Sequence, residues 1–329
     1  MTVARYRFAP GLDLELSGPD AALRHFAREY EPAAVADSDQ PPALRATFAW
    51  GGDGAPDGHK TVRWNVRLGA PDAHPLTLEL GLRGRPRSFA LSLVQGFHLE
   101  PALSVAAARA GHVLLPAAAL SADGGAVVVL GKSRSGKSSA MTLALAADRE
   151  VLGDDQVLLS GFGACRPFPR RLRLYPDLRE TAPQAYDRLP GAERRALAAR
   201  RAARTLSRGW VAPSLAVRAS AMGPGAPAGP LPVARLVAVE RTDDVAEPHT
   251  SPLDVEEAVA LALSVLDEQR ARLRDAGGAT WVRALEATRE REATLLRSAL
   301  ANAPLERLRL PGAWPAPQGV AALAGALGL

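Results

Sequence analysis

The chain has 329 residues, 47% of them hydrophobic, which is enough for one large core or two modest ones. Two units are expected, because single cores begin to split near this size. Forty Lys and Arg against 35 Asp and Glu give a formal charge of +5. That balance suits an acidic ligand such as a nucleotide, but it falls short of the basic excess of a nucleic-acid binder.

Charges interrupt every apolar stretch of Met1 to Gly18, so no signal-peptide core can be drawn. No uninterrupted apolar run of about 18 residues offers a membrane span. The single Cys165 cannot form an intrachain disulfide and has no Cys or His at metal-ligand spacing. A reducing cytoplasm is therefore the expected location, with no zinc site and no membrane or nucleic-acid partner.

Alternating segments at Val3–Phe8, Leu12–Leu16, Leu44–Trp50, Thr61–Leu68, Leu76–Leu82 and Ser88–Val94 predict short strands. In the clearest of them, Val62, Trp64, Val66 and Leu68 share one face, and Arg63, Asn65 and Arg67 the other. Pro19–Tyr30 reads as a helix, and Asp37–Pro42 and Gly51–Gly58 read as exposed turns. Residues 1–98 are accordingly taken as an N-terminal α+β lobe.

A helix over Glu100–Ala110 leads into a strand over Gly111–Leu120, and a turn at Ser121–Gly125 returns the chain into the apolar strand Ala126–Leu130. That strand feeds Gly131-Lys132-Ser133-Arg134-Ser135-Gly136-Lys137-Ser138, followed by Ser139 and an apolar helix to Ala147. This is the Gly-x-x-x-x-Gly-Lys-Ser pattern of a phosphate-binding loop in its required strand–loop–helix setting. Glycines let successive N–H groups face a polyphosphate, and the helix N-terminus adds its positive dipole end. Lys137 would reach the β- and γ-phosphates of ATP, and Ser138 would hold Mg²⁺. The chain has three lysines, and two of them, Lys132 and Lys137, lie in this loop.

Glu150–Leu159 is a second apolar segment, interrupted by Asp154 and Asp155, 17 and 18 residues after Lys137. As the strand after the loop helix, it can lie beside the first, so that its carboxylates can approach the metal and the γ-phosphate; the alternative is a solvated turn Gly153-Asp154-Asp155. Neighbouring strand residues point to opposite faces, so both can reach one site only if the strand ends there.

Arg166–Arg179 is rich in Arg and Pro; Arg166, Arg170, Arg171 and Arg173 could neutralise a phosphate or grip an acidic substrate, but read first as the solvated side of a strand. A helix over Gly191–Arg208 carries Arg194, Arg195, Arg200, Arg201 and Arg204 as a charged outer face. Met222–Pro232 reads as a flexible connector without regular structure. Val233–Glu240 is a strand. Ser251 as N-cap and Pro252 at the first helical position start a helix running to Asp275, before Gly277-Gly278. A helix over Thr280–Asn302, a strand over Leu305–Leu310 and a helix from Gln318 complete the chain. Trp210, Trp281 and Trp314 are taken as packing residues.

Gly131–Ser138, the short helix and Val151-Leu-Gly-Asp-Asp155 resemble the catalytic core of the HPr kinase/phosphorylase family and its HPr-kinase-related relatives. Their loop is typically Gly-x-Ser-Gly-x-Gly-Lys-Ser, followed by an Asp pair. The likeness covers about residues 98–160. It implies an α/β fold, a P-loop kinase core shared with phosphoenolpyruvate carboxykinase, over residues 99–329 with C-terminal helices. It further implies Lys137 as the nucleotide residue, Ser138 as a metal ligand, Asp154 as the base for the acceptor hydroxyl and Asp155 as its partner carboxylate at the metal.

The sequence also departs from the family. Pro116 stands where the family has a His, fifteen residues before the first loop Gly, and His112 reads as an ordinary strand-end residue. Arg134 replaces a Gly, Ser139 replaces a common Glu, and Arg166–Leu174 occupies the place of a glycine-rich signature.

The resemblance implies an ATP- and Mg²⁺-dependent kinase acting on a hydroxyl of a peptide, protein or small molecule, of the kind found among natural-product tailoring kinases. The alternatives are a nucleotide-binding regulatory or scaffold protein and, last, an ATPase using water. Homo-oligomers occur in the family; the divergent second half gives no basis for assigning one here.

Overall fold

The computed structural model describes residues 2–36, 40–51, 57–122, 124–210 and 214–329. Parts of the loops expected at Asp37–Pro42 and Gly51–Gly58, and one residue of the turn at Ser121–Gly125, lie outside them. The protein is mixed α/β and divides into two compact units, residues 1–114 with 266–295 and residues 115–265 with 296–329. Among the described residues, no helix is long and apolar enough to cross a membrane.

The first unit holds a sheet whose strand order is Ala34–Val35, Val3–Ala9, Leu12–Ser17, Leu44–Trp50, Leu76–Arg83, Val62–Leu68 and Asp57–His59. Alternation explains its core: Leu76, Leu78, Leu80 and Leu82 are buried, with more exposed residues between them. The helix Asp20–Glu29 lays Phe26 against this core, 5.0 Å from Phe48 between ring centroids.

Ser88–Val94 is not a strand. The helix Arg87–Val94 buries Ala90, Leu91 and Val94, a one-face helical spacing, and Pro86 precedes it as N-cap. The chain continues through a π turn, Gln95–Leu99, into the helix Glu100–Arg109. Burial pushes the His98 imidazole in that turn down to about 4.

Arg270 and Glu292 also belong to this unit and form a fully buried ion pair, with Arg270 Nη1 2.7 Å from Glu292 Oε2. Arg270 Nε donates to Ser104 Oγ at 2.9 Å. The helix expected over 251–275 is divided: Val255–Gln269 is followed by Ala271–Leu300, within which Gly278 leaves helical geometry at φ 62°.

In the second unit, the order Val151–Gly153, Ala117–Ala122, Gly125–Gly131, Leu231–Thr242 runs across a mixed sheet, and Leu305–Pro311 also pairs with Leu231–Thr242. Gly125–Gly131 lies parallel to Leu231–Thr242 and antiparallel to Ala117–Ala122. The strand expected over Gly111–Leu120 is two strands, His112–Leu115 and Ala117–Ala122, divided at Pro116, which lacks the N–H a continuous ladder needs.

The strand after the loop helix does not lie beside the loop strand. The hairpin of Ala117–Ala122 and Gly125–Gly131 fills that side, so Val151–Gly153 pairs one strand further out, antiparallel to Ala117–Ala122.

Two further expectations are corrected. Met222–Pro232 is not a loose connector: Met222 is buried in the core cluster, the Gly225 carbonyl accepts the Val151 N–H at 2.8 Å, and the strand already starts at Leu231. A Cβ at Gly223 would come within 2.5 Å of the Leu145 carbonyl, so this glycine permits the close approach. Ser251 and Pro252 do not open a helix. They end the strand His249–Pro252, and Asp254 caps Val255–Gln269 by accepting the Glu257 N–H on Oδ1 at 2.8 Å.

Candidate functional site

The loop strand Gly125–Gly131 is buried along almost its whole length, as its Val-Val-Val-Leu run requires of a central strand. Gly131 turns the chain where side chains do not fit: a Cβ would lie 2.8 Å from the Val239 carbonyl and 3.0 Å from Ser135 Oγ. Lys132, Ser133 and Arg134 are exposed, while Ser135 and Lys137 are buried. Gly136 sits at φ 97° as the N-cap of the helix Lys137–Ala146, a left-handed conformation that glycine adopts without strain. Arg134 adopts φ 68°, also in the region that favours glycine, at the position where the resembled family has one. The helix is anchored through Ala140, Met141, Ala144 and Leu145 in a core shared with Val237, Val239 and Leu323.

Lys137 Nζ donates to the Gly131 carbonyl, to the Lys132 carbonyl at 2.9 Å and more weakly to Ser135 Oγ at 3.4 Å. Burial lowers the Lys137 ammonium pKa, opposed by the charges of Asp155 and Asp154, which places both carboxylates in the electrostatic neighbourhood of the loop lysine. Ser138 is half-buried on the first helical turn. Ser139 directs its hydroxyl to Thr181, donating to Oγ1 at 3.2 Å.

The strand Val151–Gly153 ends immediately before the carboxylate pair. The two side chains then diverge. Asp154 is 3% exposed, and its Oδ2 accepts the Arg173 backbone N–H at 3.1 Å. Burial raises its pKa to about 6, helped by the charge of Asp155 and opposed by the Arg173 N–H and the charges of Arg170 and Arg173. Asp155 is half-exposed and pairs with Arg170 Nη1 at 3.0 Å.

Arg170 and Arg173 are therefore part of the site rather than the solvated side of a strand. Arg170 has 13% of its side chain exposed because it turns inward onto Asp155, and the strand Leu172–Leu174 brings the Arg173 amide to Asp154. Tyr175 adds a phenol whose pKa is raised by partial burial and by the charges of Asp155 and Asp154. Neither Tyr175 nor Thr181 stood out in the sequence. The available signal was the Arg-Arg-Leu-Arg-Leu-Tyr run itself, where basic residues alternate with strand-forming apolar ones.

Pro116 lies between two strands, and His112 begins the first of them. Among the described residues, no group of three or more His, Cys, Asp or Glu gathers as a metal cage. Ser138 and Asp155 carry hard oxygens of the kind Mg²⁺ takes from protein when phosphates supply further ligands.

The architecture is that of a mixed α/β protein. Comparison with protein-family models and with curated proteins gives no match.

Proposed function

We propose that the protein is an ATP-dependent kinase of the HPr-kinase-related group, transferring the γ-phosphate to a hydroxyl of a peptide, protein or small-molecule acceptor. The observation that carries the reading is Asp154, a buried carboxyl raised to about 6 in the electrostatic neighbourhood of the phosphate-loop Lys137. A base poised near neutral pH is what activation of an alcohol requires.

The loop N–H groups and Lys137 would hold the β- and γ-phosphates, and Ser138 with Asp155 would hold Mg²⁺. When bound, the metal neutralises charge on the transferring group. Asp154 accepts the acceptor hydroxyl proton as that oxygen bonds to the γ-phosphorus and the bond to the bridging oxygen breaks, releasing ADP. Arg170 fixes Asp155 and keeps a positive charge beside the pair.

Incubation with γ-labelled ATP, Mg²⁺ and hydroxyl-bearing peptides, proteins and small molecules tests the reading. A labelled ester product that disappears with Asp154→Asn supports it. Tight ATP binding with no labelled product from any acceptor class would instead leave a nucleotide-binding regulatory or scaffold protein, and release of labelled inorganic phosphate alone would leave an ATPase.

A further inference from the structure

Residues 191–208 contain six arginines and one acid, Glu193. Removing them from the 40 basic and 35 acidic residues of the chain leaves 34 of each, so this segment accounts for the whole formal charge. The helix Gly191–Leu206 buries only Leu197, and its arginines are therefore a surface feature.

At the C-terminal end of that helix lies a cleft of about 480 Å³, with Arg201, Arg204 and Arg208 on one wall and Pro176, Asp177 and Glu180 on the other. Glu180 is committed to Arg201 at 2.6 Å. Arg204 and Arg208 make no ion pair among the described residues. Arg208 also holds φ 50°, a conformation that favours glycine, while presenting a guanidinium to the cleft.

The same end of the helix exposes Leu206 by 86% and Trp210 by 58%. The facing wall begins one residue after Tyr175, which senses the charges of Asp155 and Asp154, and ends at Glu180, next to the Thr181 that meets Ser139 of the loop helix. The cleft is thus contiguous in sequence with the residues around the carboxylate pair.

We propose that this cleft docks an acidic peptide segment of the acceptor, with its carboxylates on Arg204 and Arg208. Guanidinium forks bind carboxylates bidentately, and exposed Leu and Trp side chains beside an open cleft fit a peptide better than a small anion, which a pocket would enclose. The assignment of the bound peptide as a phosphoryl acceptor rests on the kinase reading; the docking itself does not.

The test uses the full chain and two fluorescein-labelled serine peptides, one flanked by Asp and Glu and the other by Asn and Gln at the same positions, followed by anisotropy without ATP. The acidic peptide is expected to bind at least about tenfold more tightly. The double variant Arg204→Glu/Arg208→Glu should abolish that preference, and Arg204→Lys/Arg208→Lys should keep part of it, with unchanged melting temperatures. Equal binding of the two peptides, a preference that survives charge reversal, or stronger binding of a single-stranded oligonucleotide of equal charge each overturns the proposal. An acidic peptide that binds as expected but is never phosphorylated counts against the kinase reading alone.

Discussion

The Arg173 backbone N–H reaches Asp154 Oδ2 at 3.1 Å, a contact that a side-chain substitution at Arg173 leaves in place. It fixes the orientation of the carboxyl while burial raises its pKa to about 6. Because the folded pKa exceeds the unfolded one, the native state binds the extra proton between about pH 4 and 6. The ionised carboxylate then lowers stability above that window. Asp154→Asn should therefore abolish transfer yet raise stability at pH 8 by up to roughly 3 kcal/mol, a gain that vanishes below about pH 4. Thermal melts at the two pH values measure this.

The pH–rate profile should report the same group. Activity should rise as pH increases through the Asp154 pKa, since the base must be ionised. Arg170→Ala removes a charge that lowers that pKa and should move the rising limb to higher pH; Asp155→Asn removes one that raises it and should move the limb to lower pH. Shifts in the opposite directions would separate the limb from Asp154.

Two loop positions with positive φ should respond with opposite signs. Arg134→Gly relieves a left-handed backbone and should be neutral or stabilising, by up to about 1 kcal/mol. Gly136→Ala meets both φ 97° and a Val320 methyl at 3.3 Å, and should cost about 1–2 kcal/mol and weaken ATP binding. Chemical denaturation and nucleotide titration read both.

Lys137→Ala should weaken ATP binding by at least about tenfold while leaving the fold intact, because the Lys137 ammonium contacts its own loop rather than the core. Isothermal titration alongside a melt distinguishes lost affinity from lost structure.

In the first unit, Arg270→Met should cost about 3–5 kcal/mol by leaving Glu292 buried and uncompensated. The double variant Arg270→Met/Glu292→Leu should recover much of that loss, since no buried charge remains. Equilibrium unfolding of the two variants gives the comparison.

The turn from strand to helix over 131–137 was legible because its signal is local: two glycines, a lysine and a serine at fixed spacing between an apolar strand and an apolar helix. A strand end at the acid pair was only the condition for both acids to reach one site; the strand does end at Gly153, and the two side chains nevertheless diverge, Asp154 buried and Asp155 half-exposed. What escaped depended on distant partners. Ser88–Val94 has an apolar run short enough to fit either regular structure, and the burial of Ala90, Leu91 and Val94 decides it. The place of Val151–Gly153 depended on which strand filled the side of Gly125–Gly131, and the preceding hairpin did. Arg170 and Arg173 looked like solvent-facing charge because nothing nearby in sequence says that the next strand carries them back to the acids. At Asp254, the cap was hidden by Ser251-Pro252, a better-looking start signal that the strand His249–Pro252 uses instead.

Arg270 carries a consequence for synthesis. Its contacts with Ser104 and Glu292 join the opening unit to residues that leave the ribosome nearly two hundred positions later. The earlier-encoded unit therefore cannot finish its own core until residues 266–295 have been made, well after the strand and helix that flank residues 131–137. A fragment ending at residue 114 would carry the sheet but lack this buried ion pair, so expression of that unit requires grafting residues 266–295 back onto it.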